Sequence, residues 1–139
     1  MLIGHQYHSI DETGRTFLPK MYRGDLGDVI MVTTYLDDCL YVCSMEGWEK
    51  LAQKLDELPD AEADDIKTLV FTNAAQLEVS KQGRVSLPPH LRKYVSLGKD
   101  IVTVGKRDHA EIWDVDKYGE KMMNLRKTGV MDKMKELNL

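Results

Sequence analysis

Apolar residues along this chain come in short runs, cut by glycine, proline and charge. The runs VIMV (29–32), CLYV (39–42), IVTV (101–104) and AEIW (110–113) predict strands, as do the segments leading into Gly14 and Gly83. A different period appears at 45–58, where MEGWEKLAQKLDEL places Trp48, Leu51, Ala52, Leu55 and Leu58 on one face at helical spacing. Pro59 and Asp60 break that helix. A second is expected over 61–76, with Ile66, Leu69, Val70, Asn73 and Ala74 turned inward. A third is expected from about Asp116 to Lys127, stopped by Gly129, and a last short turn carries Met131, Met134 and Leu137.

The strand-rich parts are two copies of one unit. At an offset of 69, Gly14 and Arg15 fall on Gly83 and Arg84, Leu18 and Pro19 on Leu87 and Pro88, Arg23 on Arg92, and Ile10 on Val79. With small shifts of offset, VIMV answers IVTV and CLYV answers AEIW. Each half is therefore expected to run strand, glycine turn, strand, short helical turn, strand, turn, strand. A unit of roughly 50 residues buries too little apolar surface to stand alone, whereas two can close a shared core around a pseudo-twofold axis.

Charge changes this picture. The formal net charge is −4, but residues 1–70 hold 6 Lys and Arg against 14 Asp and Glu, and residues 71–139 hold 13 against 9. Six acids and no base lie between Asp56 and Asp65, while Lys81, Arg84, Arg92, Lys93 and Lys99 lie between Glu78 and Asp100 with no acid among them. A ligand meets the local field rather than the net charge. Cys39 and Cys43, four residues apart in a predicted strand, would stand roughly 13 Å apart, beyond the reach of a disulfide. Two buried thiols suit a reducing compartment. No apolar run approaches the ~20 residues of a membrane span and no signal-peptide pattern opens the chain, so a cytoplasmic protein with no membrane partner is expected.

The repeated turns carry the candidate chemistry. A three-residue hairpin loop usually ends in a left-handed residue, which suits Gly14 and Gly83. The arginine after each glycine begins the return strand at the loop tip, where burial is difficult. A protruding guanidinium matches phosphate oxygens or the O6/N7 edge of guanine. Pro19 and Pro88 then open short helical turns that bring Lys20 and Arg23, or Arg92 and Lys93, toward the same end. A single such turn would be an ordinary solvated hairpin; its repetition points to an anionic ligand. Catalysis finds little support. His5 and His8 lie three apart in a strand and face opposite sides, His90 and His109 stand isolated, and no metal spacing, phosphate loop, nucleophile motif or cofactor motif occurs. Single-stranded RNA is disfavoured, because the aromatic residues fall at core or strand positions.

The segments GHQYHSIDETGRTFLPKMYR and KQGRVSLPPHLRKYVSLGKDIVTVGKRDHAEIWDVDKY resemble the two motifs of MraZ proteins, and CLYVCSMEGWEKLAQKL resembles their connecting segment. The resemblance implies a mainly β fold with flanking α-helices, in which two tandem swapped-hairpin AbrB-like repeats form a double-split β-barrel. It divides the chain into a first repeat (1–52), connecting helices (53–76), a second repeat (77–119) and a helical tail (120–139). It further implies a bacterial transcriptional regulator of the division and cell-wall gene cluster. Such a protein is nucleoid-associated and binds double-stranded DNA at repeated promoter sites as a ring of identical subunits. An antitoxin-like protein-interaction module is the alternative. The family pattern of Asp, three residues, then Arg is met by Asp11 and Arg15, whereas Ser80 stands where the second Asp is expected before Arg84. Asp11, Gly14, Ser80 and Gly83 are expected to order the loops, Ser80 more weakly than Asp11. Arg15 is expected to meet bases, and Lys20, Arg23, Lys81, Arg84, Arg92 and Lys93 the DNA backbone.

Overall fold

The order strand, turn, strand, short helix, strand, strand occurs twice in the computed structural model, which describes residues 1–139. The first half comprises β1 (His5–Ser9), β2 (Arg15–Phe17), α1 (Lys20–Leu26), β3 (Val29–Thr34) and β4 (Leu40–Ser44). Helices α2 (Met45–Asp56) and α3 (Asp60–Phe71) follow. The second half comprises β5 (Ala75–Glu78), β6 (Arg84–Ser86), α4 (Pro89–Tyr94), β7 (Asp100–Gly105) and β8 (Ala110–Asp114), and the chain ends in α5 (Val115–Leu125) and α6 (Val130–Glu136).

The halves exchange strands. One antiparallel sheet of six strands runs β1-β7-β8-β4-β3-β5, and a two-stranded ribbon pairs β2 with β6. The first strand of each half thus lies on the other half: β1 against β7, from His5↔Val104 to Ser9↔Asp100, and β5 against β3, from Ala75↔Val32 to Glu78↔Val29. At the centre of the sheet Tyr41 pairs with Glu111, and at the centre of the ribbon Thr16 pairs with Val85. The registers match Ile30 with Ile101 and Tyr41 with Glu111, each one residue earlier than the alignment of VIMV with IVTV and of CLYV with AEIW implies. In both the Tyr41–Glu111 and Thr16–Val85 pairs a residue thus faces its own counterpart in the repeat, and a pseudo-twofold axis passes through both. The expected hairpins are accordingly closed only at their tips. The Asp11 N–H donates to the Arg15 carbonyl at 3.0 Å and the Gly14 N–H to the Asp11 carbonyl at 3.0 Å. The two strands then part, because each has its ladder partner in the other half.

One core serves both halves. Leu18, Tyr22, Leu26, Ile30 and Val42 pack in the same buried cluster as their counterparts Leu87, Leu91, Val95, Ile101 and Ile112. The helix expected over 61–76 ends early, at Phe71, and Ala75 already pairs with Val32. Asn73 makes the break: its Nδ2 donates to the Leu69 carbonyl and to Thr34 Oγ1, each at 3.0 Å, satisfying the helix end and tying it to β3. Ala63 and Val70 face inward, whereas Ile66 is exposed. Leu58 lies beyond the end of α2 and is also exposed. Cys43 lies in β4 and Cys39 in the bend just before it; both are buried free thiols, and burial pushes the Cys43 thiol up to about 12. In the tail, Asp114 caps α5 by accepting from the N–H groups of Asp116 (3.2 Å) and Lys117 (3.4 Å), and no residue of α5 or α6 is fully buried.

The two turns are locked reciprocally. Gly14 and Gly83 are buried, with φ of +90° and +81°. The Gly14 carbonyl accepts from the Leu87 N–H (2.8 Å) and the Gly83 carbonyl from the Leu18 N–H (2.7 Å), extending the ribbon at both ends. A Cβ at Gly14 would lie 2.5 Å from the Leu87 carbonyl oxygen and 2.7 Å from Arg92 Nε; at Gly83 it would collide with the Arg23 guanidinium. Each arginine is anchored on its own strand end, Arg23 Nε–H on the Leu18 carbonyl (2.8 Å) and Arg92 Nε–H on the Leu87 carbonyl (3.0 Å). Gly83→Ala combines a disfavoured φ with displacement of Arg23 and is expected to lower unfolding stability by roughly 1–3 kcal/mol or more. Gly4, at φ +79° with nothing near its would-be Cβ, isolates the backbone term. Denaturant melts should show Gly4→Ala less damaging than Gly83→Ala, and equal losses would mean that the arginine lid contributes nothing.

Candidate nucleic-acid interface

Side chains alternate across a strand, and directly paired residues share a face. In the β2–β6 ribbon, Arg15 pairs with Ser86, Thr16 with Val85 and Phe17 with Arg84. Thr16 and Val85 are buried on the inner face. The outer face therefore carries Arg15, Phe17, Arg84 and Ser86 together. Arg15 and Arg84 are diagonal neighbours, for which a Cα separation of roughly 7–8 Å is usual, and both are exposed. The inward pair is held by the core and cannot rotate outward without losing it, so the two guanidinium groups project from a fixed platform.

The two turns are ordered to different degrees. Asp11 Oδ1 accepts from the Thr13 N–H (3.0 Å), the Thr13 hydroxyl (2.8 Å) and the Arg15 N–H (2.8 Å), while Oδ2 accepts from Arg15 Nε–H (3.0 Å). The Arg15 backbone N–H contributes most, followed by the Thr13 hydroxyl, in holding the Asp11 carboxyl down at about 2. Arg15 is thereby gripped at Nε while its side chain stays 65% exposed, leaving the two terminal amines outward. At the second turn, Ser80 Oγ accepts only from the Arg84 N–H (3.0 Å), and no side-chain bond restrains the Arg84 guanidinium.

Lys20 on α1, Lys81 in the second turn and Lys93 on α4 are all exposed. Arg23 and Arg92 differ: each is half-buried, held at Nε and laid over the opposite glycine turn. Asp11, Gly14, Ser80 and Gly83 all lie in the turns. The acids between Asp56 and Asp65 are exposed around the α2–α3 junction.

Three features escape a reading of the sequence. A hollow of about 500 Å³ opens beside the ribbon, lined by Arg15, Gln76, Glu78, Ser80, Arg84 and Ser86 among others. His8 bridges ribbon and sheet, its Nδ1 3.0 Å from Thr16 Oγ1 and its Nε2 2.7 Å from Thr103 Oγ1. The Thr16 hydroxyl donates to the Ser9 carbonyl (2.8 Å), so its oxygen accepts from Nδ1–H and the Thr103 hydroxyl donates to Nε2. Burial lowers His8 to about 4, keeping it neutral. His109, expected to be isolated, instead lies between Asp108 Oδ1 (2.7 Å) and Glu111 Oε2 (3.3 Å) and stacks on Tyr41 at 4.3 Å. Burial alone would lower His109, but the two carboxylates outweigh it and raise it. The closeness of Asp108 and Glu111 to His109 in the chain was the available clue. Glu111 also accepts from Trp113 Nε1–H at 3.1 Å. No group of three or more His, Cys, Asp or Glu is placed to hold a metal ion.

The His8 and Asp11 shifts have the same sign, opposite to that of His109. His8 and Asp11 each bind protons more weakly folded than unfolded, so stability is lost as pH falls. Thermal stability is expected to drop between pH 6.5 and about 4 as His8 is forced to charge, and again from about 3.8 toward 2 as Asp11 is protonated. Melting curves of His8→Leu should lack the first step, and those of Asp11→Ala should show a smaller second step, because Asp108 and Glu111 are also held low and are protonated in the same acid range; a wild-type melting temperature flat from pH 6.5 to 4 would contradict the His8 assignment.

The family model described as "MraZ protein, putative antitoxin-like" matches residues 1–69 and again 70–138. A Heliobacterium modesticaldum protein named "Transcriptional regulator MraZ" is 40% identical over 126 residues, covering 87% of this chain and 88% of the relative. Proteins of the same name from Clostridium tetani and Alkaliphilus metalliredigens are 35% and 36% identical over the full length of both chains.

Proposed function

The chain belongs to the MraZ family of transcriptional regulators, and on that premise we propose that it binds double-stranded DNA sequence-specifically through the outer face of the β2–β6 ribbon. The observation that carries this reading is the placement of Arg15 and Arg84 together on that face, with Thr16 and Val85 buried behind them. A two-stranded ribbon fits the B-DNA major groove. Arg15, pre-oriented by Asp11, offers two outward amines to a guanine edge. Lys20, Lys81, Arg84 and Lys93 contact phosphates on either side. Arg23 and Arg92 lie against the same turns; with Nε bound to a carbonyl, each keeps the opposite turn in place and lends it positive charge beside the backbone.

A subunit with so few cationic contacts binds weakly and with steep salt dependence. Assembly supplies the remainder. Subunits joined in a ring, each a double-split barrel of two repeats, would meet successive promoter repeats at high effective concentration, gaining ~10²–10⁴ in avidity. Those repeats lie in the gene's own promoter region, ahead of the division and cell-wall cluster, as the family resemblance implies. The acidic 56–65 stretch would face away from the duplex, and the protein would act at the nucleoid in the cytoplasm. No helix is long and apolar enough to cross a membrane.

Gel shifts on the gene's upstream DNA test this reading. Arg15→Ala should weaken specific binding by roughly 5–150-fold, the value of one bidentate base contact, with assembly intact. Lys81→Ala should weaken binding to all duplexes and reduce the log–log salt slope by about 0.9. Wild-type binding by Arg15→Ala would overturn the assignment.

The second reading, an antitoxin-like interaction module, draws on the matched family description and on the tail, where Met122, Met123, Met131, Met134 and Leu137 are exposed. In the ring reading these residues cover a neighbouring subunit. A chain ending at residue 119 should fall to smaller assemblies in light scattering. Unchanged assembly, with a stoichiometric foreign protein held only by the full chain, would favour the module.

A further inference from the structure

The pseudo-twofold axis through Thr16 and Val85 would make the ribbon read the two ends of its site identically, provided that the exposed counterparts matched. They do not. Phe17 corresponds to Ser86, and the two occupy equivalent outer positions. On the β2 side, the Phe17 ring packs against His8 with centroids 4.7 Å apart. On the β6 side, Ser86 leaves space, and the 500 Å³ hollow opens beside the ribbon, lined by Arg15, Gln76, Ser80 and Arg84 among others. The edge strand beneath is also unlike its counterpart. Gln76, Leu77 and Glu78 stand where the first half has Tyr7, His8 and Ser9. A glutamine amide can pair with the N6/N7 edge of adenine and a carboxylate with the N4 amine of cytosine, whereas a phenyl ring offers only an apolar contact such as one to a thymine methyl. The arginines differ as well: Arg15 is gripped by Asp11, and Arg84 is not.

We infer that the hollow at Ser86 is a base-reading pocket with no counterpart beside Phe17, so that Gln76 and Ser86 read a base edge on the β6 side of the ribbon only. The inference rests on the DNA-binding reading above. Gln76 and Ser86 are its specificity-determining residues, meeting the edge of a base pair seated over the hollow beside β6. Phe17 is the closed side, in apolar contact only. The polarity is built into one chain and does not depend on assembly.

The test uses the full chain and duplexes selected from a randomised pool, each trimmed to one site. Wild type should select a non-palindromic site, and reversing the half-site under the hollow should cost about tenfold or more, the usual price of a mismatched base pair. Ser86→Phe, which copies the first half's residue, should reduce that penalty below about threefold while leaving the Phe17-side preference unchanged. Gln76→Leu should lose preference at one base position with thermal stability unaltered, and it decides the matter should Ser86→Phe fold poorly. Specific wild-type binding to a palindromic site, or a wild-type reversal penalty retained in both variants, would overturn the inference. Absence of any specific wild-type binding would instead overturn the DNA-binding reading from which it starts.

Discussion

Where two copies of a strand–turn–strand unit meet about an axis, each turn must pass close to the other copy. Here the close approach falls at Gly14 and Gly83, which have positive φ and no room for a side chain, because Arg92 and Arg23 lie across them. The remaining architecture follows from that contact. The Gly14 and Gly83 carbonyls receive Leu87 and Leu18, the ribbon is extended at both ends, and Thr16 and Val85 are drawn into the core. The strands leading into the turns are then free to complete the opposite half's sheet. Neither half has a full set of ladder partners by itself.

This arrangement gives an acidic chain a cationic outer face on the ribbon. Net charge acts at long range and is screened within about 8–10 Å at ordinary salt, whereas a duplex in contact meets only the groups that touch it. Arginines on the outer face of a ribbon whose inner face is locked into the core lose little orientational freedom on binding. Asp11 reduces it further for Arg15, at the cost of partly neutralising that charge. Ser80 leaves Arg84 with its full charge and more freedom. The two turns therefore differ in electrostatics as well as in shape.

Duplication placed identical demands on the interior of both halves and different ones on the surface. Leu18 and Leu87 are identical and equally buried, since both fill the space beneath the ribbon. Phe17 and Ser86 are unlike, since the outer face is constrained by what it meets and not by the core. The polar groups centred on Glu111 lie on the central β4–β8 pair, and there the counterpart across the axis is Tyr41, stacked on His109. The near-symmetric backbone thus supports unsymmetric chemistry.

Much of this protein was legible in its residue pattern. The two-copy organisation, the glycine turns, the exposed arginine after each and the strand order within a half all follow from local rules: which residues tolerate left-handed backbone, which positions alternate, and where proline ends a strand. The family resemblance also carried the exchange of hairpins. What the chain alone did not disclose depends on contacts between residues far apart in sequence. Arg23 and Arg92 look like surface cations until the opposite glycine is placed beneath them. The Tyr41 ring that stacks on His109 comes from the other half, and the helix after Pro59 looks longer until Asn73 meets Thr34. The hollow beside Ser86 is likewise a property of three strands and not of any one. Local sequence determines backbone geometry because its causes are steric and short-range. Only the tertiary fold decides which side chains share a surface, because that depends on how the two halves are brought together.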